Sequence, residues 1–291
     1  MTDRLMESEL ILNPDGSIYH LNLQPEDIAD NIILVGDPNR VKLVSRYFDR
    51  IEVQKTKREF VTHTGTIGNK RISVVGTGIG GGNIDITINE LDALVNIDLK
   101  ERIIRSEHRE LKIIRLGTSV ALQENIPVDS LLISSYGIGL DGLVSYYEWE
   151  NNADEKALLA LAREQFSGLA AVQSMYVAAG SPELIERLLS HQIGLVGITL
   201  TCPGFYGAQN RQLRARLSEK NIFTMAKKIH FKNNVVTNLE METAAIYGLA
   251  RILGHKACSV SAIVANRFAQ TFSADPEKII DDMIKKVLEV I

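Results

Sequence analysis

Two arginines and a threonine stand close to the ends of apolar segments and could together bind a tetrahedral anion. Arg40 ends Gly36-Asp-Pro-Asn-Arg40, and Arg115 begins Arg115-Leu-Gly-Thr118. Guanidinium groups, a hydroxyl and backbone amides form charge-assisted hydrogen bonds to an oxyanion, each worth about 1.5–3 kcal/mol when desolvated. An arginine inside the apolar segment 113–116 is costly to bury without an anionic partner. Taken alone, Arg40 fits a surface position at a helix start.

Three residues in a later loop could recognise a flat heterocycle. Phe205, Gln209 and Arg211 lie within one glycine-containing segment that follows an apolar run. An aromatic face, an amide with donor and acceptor, and a rigid fork of donors suit stacking on a planar ring and binding of its edge. Considered by themselves, these residues fit an ordinary polar loop better.

A carboxylate before a predicted helix could bind sugar hydroxyls. The apolar periodicity of 241–253 predicts a helix, and Thr237 and Glu240 just before it have the spacing of a capping box. Glu242 would lie in the first helical turn, where the helix dipole stabilises a carboxylate that accepts hydrogen bonds. A solvated first-turn acid is an equally good interpretation of Glu242.

The glycine-rich segment 76–81 matches the G-x-G-x-x-G pattern of dinucleotide-binding proteins, and Asp98 follows at about the distance expected of a ribose-binding acid. A lone pattern of this kind is weakly specific. The same glycines suit an anion site at a helix start, or close packing of helix on strand. An NAD-dependent oxidoreductase is therefore the alternative from another class of enzyme.

The apolar segments before these motifs must position them. Short β-branched runs predict buried strands at 32–35, 72–75, 113–116, 131–134, 193–200 and 258–264. Helical patterns lie at 41–48, 84–95, 157–166, 182–190 and 241–253. This alternation predicts an α/β fold, a three-layer αβα sandwich with a central mixed sheet. Since open α/β sheets bind ligands at the carboxyl ends of their strands, we expect the polar loops to converge on one pocket.

Length and composition predict one large domain without a nucleic-acid partner. A chain of 291 residues, 45% hydrophobic, can bury about three quarters of its unfolded surface. No linker or repeat marks a boundary, so we predict an N-terminal arm over 1–17 and a single domain over 18–291. The balance of 32 basic against 36 acidic residues disfavours binding to nucleic-acid phosphates. The N-terminus lacks the apolar core of a signal peptide, and we expect a cytoplasmic protein.

Metal and covalent chemistry find little support in the sequence. The 6 histidines include no H-x-x-x-H pair and the cysteines no C-x-x-C, so we predict no metal site. There is no G-x-S-x-G elbow of a hydrolase. Cys202 and Cys258 lie in apolar segments, where a buried thiol is the simpler interpretation.

Taken together, the motifs resemble those of the nucleoside phosphorylase family, and specifically its uridine phosphorylase branch, from about His20 to the C-terminus. The motifs occur in order and are Gly36-Asp-Pro-Asn-Arg40, Arg58-Glu-Phe60, Thr77-Gly-Ile-Gly-Gly81, Arg115-Leu-Gly-Thr118 and Glu240-Met-Glu242. The resemblance implies reversible phosphorolysis of uridine, or of a related pyrimidine nucleoside, to uracil and ribose 1-phosphate. Inorganic phosphate would be the co-substrate, with no further cofactor.

The resemblance also implies roles for individual residues. Phosphate would be held by Gly36, Arg40, Arg115 and Thr118, with Arg58 reaching in from a neighbouring subunit. Ribose would be held by Met241 and Glu242, with His20 of the neighbour at the 5′-hydroxyl. The base would be bound by Phe205, Gln209 and Arg211, and catalysis would rest on Arg115, Glu242, Gln209 and Arg211. Sharing of sites implies a homo-oligomer, at least a dimer, with the hexamer left open.

One position favours a pyrimidine over a purine substrate. Ala265-Asn266 stands where purine-cleaving relatives typically have Ser-Asp, whose acid donates a proton to purine N7; asparagine cannot do so. Gly117-Thr-Ser119-Val departs from the usual family motif, and the charged stretch 98–110 looks like an insertion. A purine nucleoside phosphorylase, a nucleosidase of the same fold and a non-catalytic nucleoside sensor stay open, as does a monovalent cation near Glu59.

Overall fold

The computed structural model describes residues 4–218 and 221–291, so the first three residues of the predicted arm lie outside the described residues. The chain forms two compact units. Unit 1 consists of the residues up to Ile114 together with Leu253–Lys256, and unit 2 of Arg115–Ile252 and Ala257–Ile291. The division into an arm over 1–17 and a single domain over 18–291 stays a prediction.

The described residues of unit 1 form a small sheet, a hairpin, two α-helices and a 3-10 helix at Pro25–Asp27. Its strands are β1 (Asn31–Val35), β2 (Arg50–Lys57), β3 (Phe60–Ile67), β4 (Lys70–Gly76), β5 (Ile97–Asp98) and β6 (Ile103–Ile104), and its helices are α1 (Pro38–Ser45) and α2 (Gly81–Asn96). The strand order is β1-β4-β3-β2, with β1 and β4 parallel and the other neighbours antiparallel. β5 and β6 form a separate hairpin.

Local sequence explains how the loops of unit 1 form. The side chain of Asp37 accepts a hydrogen bond from the backbone N–H of Asn39 and so caps α1, with Pro38 at the first helical position. Strands β2 and β3 are joined by the two-residue turn Arg58–Glu59, in which Arg58 has φ 53°. The loop between β1 and α1 contains Gly36, and the turn between β2 and β3 contains Arg58. Both predicted site residues thus lie at the ends of strands.

Unit 2 contains the remaining elements. Its strands are β7 (Lys112–Ala121, from Arg115 onward), β8 (Leu131–Gly139), β9 (Tyr176–Ala179), β10 (Leu195–Thr201), β11 (His230–Phe231), β12 (Asn234–Glu240), β13 (Lys256–Asn266, from Ala257 onward) and β14 (Thr271–Phe272). Its helices are α3 (Ala153–Gln165), α4 (Pro182–Ser190), α5 (Ile222–Ala226), α6 (Thr243–Ile252) and α7 (Pro276–Val290).

The sheet of unit 2 places the ends of several strands side by side. Its order is β11-β12-β10-β8-β13, in which β12, β10 and β8 are parallel and β13 runs antiparallel to β8. α6 packs on β8, β9 and β10. A buried apolar cluster that includes Leu158, Phe166, Ile198 and Val236 joins α3 to the sheet.

The strands predicted from apolar runs all occur, and the mixture of parallel and antiparallel neighbours with helices confirms the α/β class. Several predicted boundaries are wrong. The helix predicted at 41–48 spans Pro38–Ser45, and the helices predicted at 84–95 and 157–166 begin at Gly81 and Ala153. The run at 193–200 begins its strand at Leu195, and the helix predicted at 241–253 begins at Thr243. No helix formed by the described residues has both the length and the apolar character needed to cross a bilayer.

Candidate active site

Arg115 is a buried cation of unit 2. It lies on β7, its exposed fraction is 5%, and its Nη2 lies 2.6 Å from Oε2 of Glu242 and 3.1 Å from Oε2 of Glu240. The side chain folds back over Gly117, where an added Cβ would lie 1.7 Å from Nη1. Glycine at that position is therefore required for this conformation of the arginine.

Glu240 closes β12 and caps the helix that follows. Its carboxylate accepts hydrogen bonds from the backbone N–H groups of Glu242, at 2.9 Å, and of Thr243, at 2.9 and 3.1 Å. The hydroxyl of Thr201 donates a further bond at 2.8 Å. The carboxylate thus satisfies the amides at the start of α6 that have no partner within the helix.

The capping box predicted for Thr237 and Glu240 is wrong. The hydroxyl of Thr237 instead donates to the carbonyl of Ile198 at 3.2 Å on the neighbouring strand. Thr237 lies inside β12, so it cannot take the cap position, and Glu240 caps the helix from the strand end. Glu242 precedes α6 rather than lying in its first turn, yet it is buried, with an exposed fraction of 5%.

Burial and charge act in opposite directions within this cluster. Burial works to lower the pKa of Arg115, but the carboxylates of Glu240 and Glu242 more than offset it, so the pKa of Arg115 is raised. Burial also raises the pKa of Glu240; Arg115 opposes the rise and the nearby carboxylate of Glu242 adds to it. The anionic partner that the sequence required for Arg115 is therefore supplied by two acids of its own unit.

The loop after β10 brings together the three residues predicted to bind the base. The guanidinium carbon of Arg211 lies 3.8 Å from the centroid of the Phe205 ring. Its Nη1 donates to the Phe205 carbonyl at 2.9 Å and to Oε1 of Gln209. Gln209 is 2% exposed, in a 3-10 turn that ends at Asn210 with φ 48°. One aromatic face, one amide and one guanidinium thus form a single group.

This base loop lies beside the Arg115 cluster. Thr201 at the end of β10 is paired in register with Glu240 at the end of β12, and these strands are parallel. The backbone N–H of Cys202, the next residue, donates to the Glu240 carbonyl at 2.8 Å. Burial raises the pKa of the Cys202 thiol, the charge of Glu240 adds to the rise, and Arg211 opposes it. The Cys202 thiol therefore interacts electrostatically with Glu240 of the cluster and with Arg211 of the base loop.

Arg267, which we did not predict as a site residue, contacts the base loop from the turn that follows β13. Its Nη2 donates to the Asn210 carbonyl at 3.3 Å, and its guanidinium carbon lies 4.7 Å from the centroid of the Phe223 ring. Burial lowers the pKa of Arg211 and the charge of Arg267 lowers it further. A single arginine after a strand gave no local signal that would have separated it from a surface residue.

Asn266, the residue that favoured a pyrimidine, is fully engaged by backbone. Its Nδ2 donates to the carbonyls of Gln123 at 2.9 Å and Ile126 at 2.7 Å. Its Oδ1 accepts from the N–H groups of Phe268 at 3.0 Å and Ala269 at 2.9 Å. The side chain is 2% exposed and connects two loops. Met241 and Thr118, the other predicted residues of unit 2, are half-buried.

In unit 1, the loop after β1 lies against the glycine-rich loop after β4. The N–H of Thr77 donates to the Val35 carbonyl at 2.8 Å, and an added Cβ on Gly36 would lie 3.5 Å from the Gly78 carbonyl oxygen. Gly78 has φ 74° and leaves no room for a side chain, because a Cβ would lie 2.3 Å from Nδ2 of Asn83. Arg40 is half-buried on α1.

His20 and Arg58, both predicted to reach a neighbouring subunit, lie together in unit 1. Tyr19 connects them: its hydroxyl accepts a bond from Nη2 of Arg58 at 3.4 Å, and its ring meets the His20 ring edge-on at 4.8 Å. The His20 ring also lies 6.3 Å from that of Phe60, which follows Arg58 in the chain. The two residues thus share one patch of surface.

Asp98 does not behave as a free ribose-binding acid. Its Oδ1 accepts hydrogen bonds from the N–H groups of Lys100 at 3.0 Å and Glu101 at 2.9 Å. These bonds, that of Glu101 foremost, lower the pKa of Asp98. The carboxylate closes its own turn, which removes the acid from the dinucleotide interpretation.

Among the described residues, Asp92, His108 and His255 have atoms that could hold a metal within 4.8 Å of one another. Nδ1 of His255 accepts the N–H of Leu111 at 3.2 Å, so a neutral ring carries its hydrogen on Nε2. That Nε2 lies 3.2 Å from Oδ1 of Asp92, although without hydrogen-bond geometry. A protonated nitrogen cannot be a ligand, so this arrangement favours a hydrogen beside the carboxylate over a metal ion.

The chain matches the model of the phosphorylase superfamily over residues 30–290. A uridine phosphorylase of Thermococcus kodakarensis is 30% identical over 282 residues, which cover 96% of this chain and 88% of the relative. A purine nucleoside phosphorylase, DeoD-type 2, of Vibrio cholerae is 26% identical over 278 residues, which cover 93% and 96%.

A solved structure extends the similarity to the fold. The crystal structure of a Trypanosoma brucei nucleoside phosphorylase that shows uridine phosphorylase activity has a TM-score of 0.88 and 30% identity to this chain. It covers 97% of this chain and 99% of its own. This likeness confirms the predicted fold, an αβα sandwich of nucleoside phosphorylase type with a central mixed sheet.

Proposed function

We propose that this chain, which belongs to the phosphorylase superfamily, is a uridine phosphorylase that reversibly cleaves uridine, or a related pyrimidine nucleoside, to uracil and ribose 1-phosphate. The observation that carries the proposal is the group formed by Phe205, Gln209 and Arg211. A pyrimidine presents a flat face and an edge of carbonyl and N–H groups, and this group offers a ring, an acceptor and charged donors to them.

We assign phosphate to Gly36, Arg40, Arg58, Arg115 and Thr118. The chemistry supports this set, because three guanidinium groups, a hydroxyl and backbone amides are strong donors to a tetrahedral dianion. The turn at Gly36 adds backbone N–H groups close to the start of a helix, where anions are favoured. Inorganic phosphate acts here as a co-substrate rather than a cofactor.

We assign ribose to Met241 and Glu242, with His20 supplied by a neighbouring subunit. The carboxylate of Glu242 is buried and held by Arg115 at 2.6 Å, so its position is fixed before a ligand arrives. A fixed acceptor suits two neighbouring sugar hydroxyls, whose hydrogen bonds to a carboxylate are charge-assisted. The half-buried thioether of Met241 offers an apolar surface beside it.

The reaction transfers the ribosyl group from nitrogen to oxygen. The bond between C1′ and N1 of uracil breaks, and its electron pair leaves with the base while C1′ acquires oxocarbenium character. A phosphate oxygen then forms the new bond to C1′, and the uracil anion takes a proton from solvent. The bound phosphate stabilises the developing cation, and Gln209 and Arg211 stabilise the charge that gathers on the base.

A panel of nucleosides with and without phosphate, read by chromatography of the products, tests this function. We expect phosphate-dependent release of uracil from uridine, well above the release of hypoxanthine from inosine. Faster cleavage of inosine would select the purine phosphorylase alternative, which the similarity to the Vibrio cholerae relative supports. Equal rates without phosphate would select a nucleosidase, and tight uridine binding without turnover would select a sensor.

The proposal also covers the oligomeric state and the cellular location of the enzyme. We propose a homo-oligomer, at least a dimer, because His20 and Arg58 lie on one patch of unit 1 and are both assigned to the site of a neighbour. We also propose a cytoplasmic enzyme of pyrimidine salvage, since its substrates are small metabolites rather than polymers.

A further inference from the structure

We propose that Glu90 is a positioning residue that fixes the imidazole of His20, so that Nε2 is the ring nitrogen offered to the 5′-hydroxyl of the nucleoside. The inference rests on the proposed function, which assigns His20 to that hydroxyl. Neither the sequence motifs nor the roles assigned above include Glu90, which lies on α2, 70 positions after His20 in the chain.

The contacts of Glu90 account for both the backbone and the ring of His20. The carboxylate accepts the N–H of His20 at 3.0 Å from each oxygen and the N–H of Leu21 at 2.8 Å. Nδ1 of the His20 ring lies 2.6 Å from Oε1 of the same carboxylate. One acid therefore holds two successive residues just after the arm, together with the side chain of the first.

The short contact at Nδ1 fixes the chemistry of the ring. A carboxylate is an acceptor, so the Nδ1 atom facing it carries a hydrogen. In the neutral ring, Nε2 then has the lone pair and can accept the hydrogen of a hydroxyl group. Carboxylates behind metal-bound histidines fix the tautomer and the ring orientation in the same way.

The surroundings of the pair restrict motion of the ring. The Tyr19 ring meets His20 edge-on at 4.8 Å and the Phe60 ring does so at 6.3 Å. The side chains of His20 and Glu90 are 25% and 13% exposed, so the pair is shielded from water more than a surface ion pair is. The two ring contacts and the bond to the carboxylate together favour one orientation of the imidazole.

A purely structural role for Glu90 makes a different prediction. If the carboxylate only attached the chain at His20 and Leu21 to α2, its loss would lower the turnover of every nucleoside alike. If it acts through the ring, its loss is felt only by substrates that carry a 5′-hydroxyl. 5′-Deoxyuridine lacks that group and separates the two roles.

The experiment compares kcat/KM for uridine and for 5′-deoxyuridine, at saturating phosphate, in the wild type, Glu90→Ala, Glu90→Gln, His20→Ala and the double variant His20→Ala with Glu90→Gln. Glu90→Gln keeps the size, so it tests the proposal if Glu90→Ala fails to fold. Its oxygen can replace Oε2, which accepts both backbone N–H groups, and its NH₂ then faces Nδ1 and disfavours a hydrogen there. Glu101→Gln, an exposed acid of the charged stretch, is the matched control for lost charge.

We expect each single variant at positions 20 and 90 to lower kcat/KM for uridine by about tenfold, and for 5′-deoxyuridine by less than about twofold. The double variant should be no worse than His20→Ala, because the two residues act as one unit. Equal losses for both nucleosides, or losses that add in the double variant, would overturn this inference and leave the proposed function intact. A wild type that cleaves neither nucleoside would overturn the proposed function, and this inference with it.

Discussion

At the scale of single residues, the acids around Arg115 determine the charge that a phosphate would meet at the proposed site. Arg115 contacts two carboxylates, Glu240 and Glu242, within a buried cluster. When both acids are ionised, the cluster has an excess of negative charge, and a dianion added to it is repelled unless further cations take part. The proposed function therefore requires additional cations, and we assign Arg40 and Arg58 to that role.

Exchange of Asn266 for aspartate should damage stability without creating a purine-cleaving enzyme. The amide Nδ2 of Asn266 donates to the carbonyls of Gln123 and Ile126, and a carboxylate would leave both without this donor. We expect Asn266→Asp to cost about 2–4 kcal/mol in the free energy of unfolding, measured in urea, since each buried unsatisfied group costs about 1–3 kcal/mol.

The specificity of this variant decides between two roles for position 266. The inosine-to-uridine ratio of kcat/KM should stay within about threefold of the wild-type ratio, because the side chain is held by backbone. A rise of inosine cleavage above uridine cleavage in Asn266→Asp would contradict this, and would show that the residue faces the base.

Asp141 should make stability depend on pH. Its carboxylate accepts the N–H of Leu143 at 2.8 Å and the hydroxyl of Tyr176 at 3.0 and 3.1 Å, yet burial raises its pKa above the ordinary value of 3.8. A raised pKa in the folded state means that folding favours the protonated acid. Its contribution to stability is present below 3.8 and is lost as pH rises through the folded-state pKa.

Asp141→Asn keeps the acceptor oxygen and removes the ionisation. We expect the melting temperature of the variant, relative to the wild type, to increase as pH rises above 3.8 and to level off once Asp141 of the folded wild type is fully ionised. Asp282→Asn, on the half-buried side of α7, is the control for a changed net charge. A difference between Asp141→Asn and the wild type that is flat across this range would contradict the assignment.

At the scale of elements, one buried acid connects three of them. Oε1 of Glu155, on α3, accepts the N–H of Ala179 on β9 at 2.8 Å and a bond from Arg251 on α6. Oε2 accepts the N–H of Asn152 at 2.8 Å, which completes the capping box at the start of α3. The Glu155 side chain is 0% exposed, so these bonds are shielded from water.

Glu155→Gln should lower the free energy of unfolding by about 3 kcal/mol, because an amide NH₂ would face groups that are themselves donors. Denaturation in urea measures this, with Glu164→Gln, an exposed acid of the same helix, as the control. A loss no larger than that of the control would show that the acid is not a structural connection between the three elements.

The sequence predicted those strands in which nearly every residue is buried, because such strands appear as unbroken apolar runs. Apolar runs marked β1, β4 and β8 because each strand is buried along nearly all its length. β2 has few apolar residues and an exposed or half-buried face throughout, so it gave no such signal. The contacts of the N-terminal arm could not be predicted from the local sequence either. The N–H of Leu5 donates to the carbonyl of Arg102 in the charged stretch at 2.8 Å, and a cavity of about 800 Å³ lies between these segments.

The candidate site shows the same limit. The types and spacing of Gln209 and Arg211 predicted their shared loop, because both follow one strand. The partner of Arg115 could not be predicted locally, since Glu242 lies 127 positions away and meets it only after the sheet forms. The role of Glu90 could not be predicted for the same reason, because its contact with His20 forms only when the segment after the arm packs on α2.

At the scale of the whole molecule, the proposed sharing of active sites between subunits can be tested by mixing two variants. We predict that an equal mixture of Arg58→Ala and Arg211→Ala chains, unfolded together and refolded, regains about a quarter of the wild-type activity. Half of the dimers then contain both chains, and each of these has one intact site out of two. Arg58 is exposed and Arg211 half-buried, so neither change leaves a buried charge. Arg115 is unsuitable, because its loss would leave two buried carboxylates without their cation. Chromatography of uracil released from uridine measures the recovery, with each variant refolded alone as the control. If each chain formed its site from its own Arg58 and Arg211, no dimer in the mixture would hold an intact site, and activity at the level of the separate variants would contradict sharing.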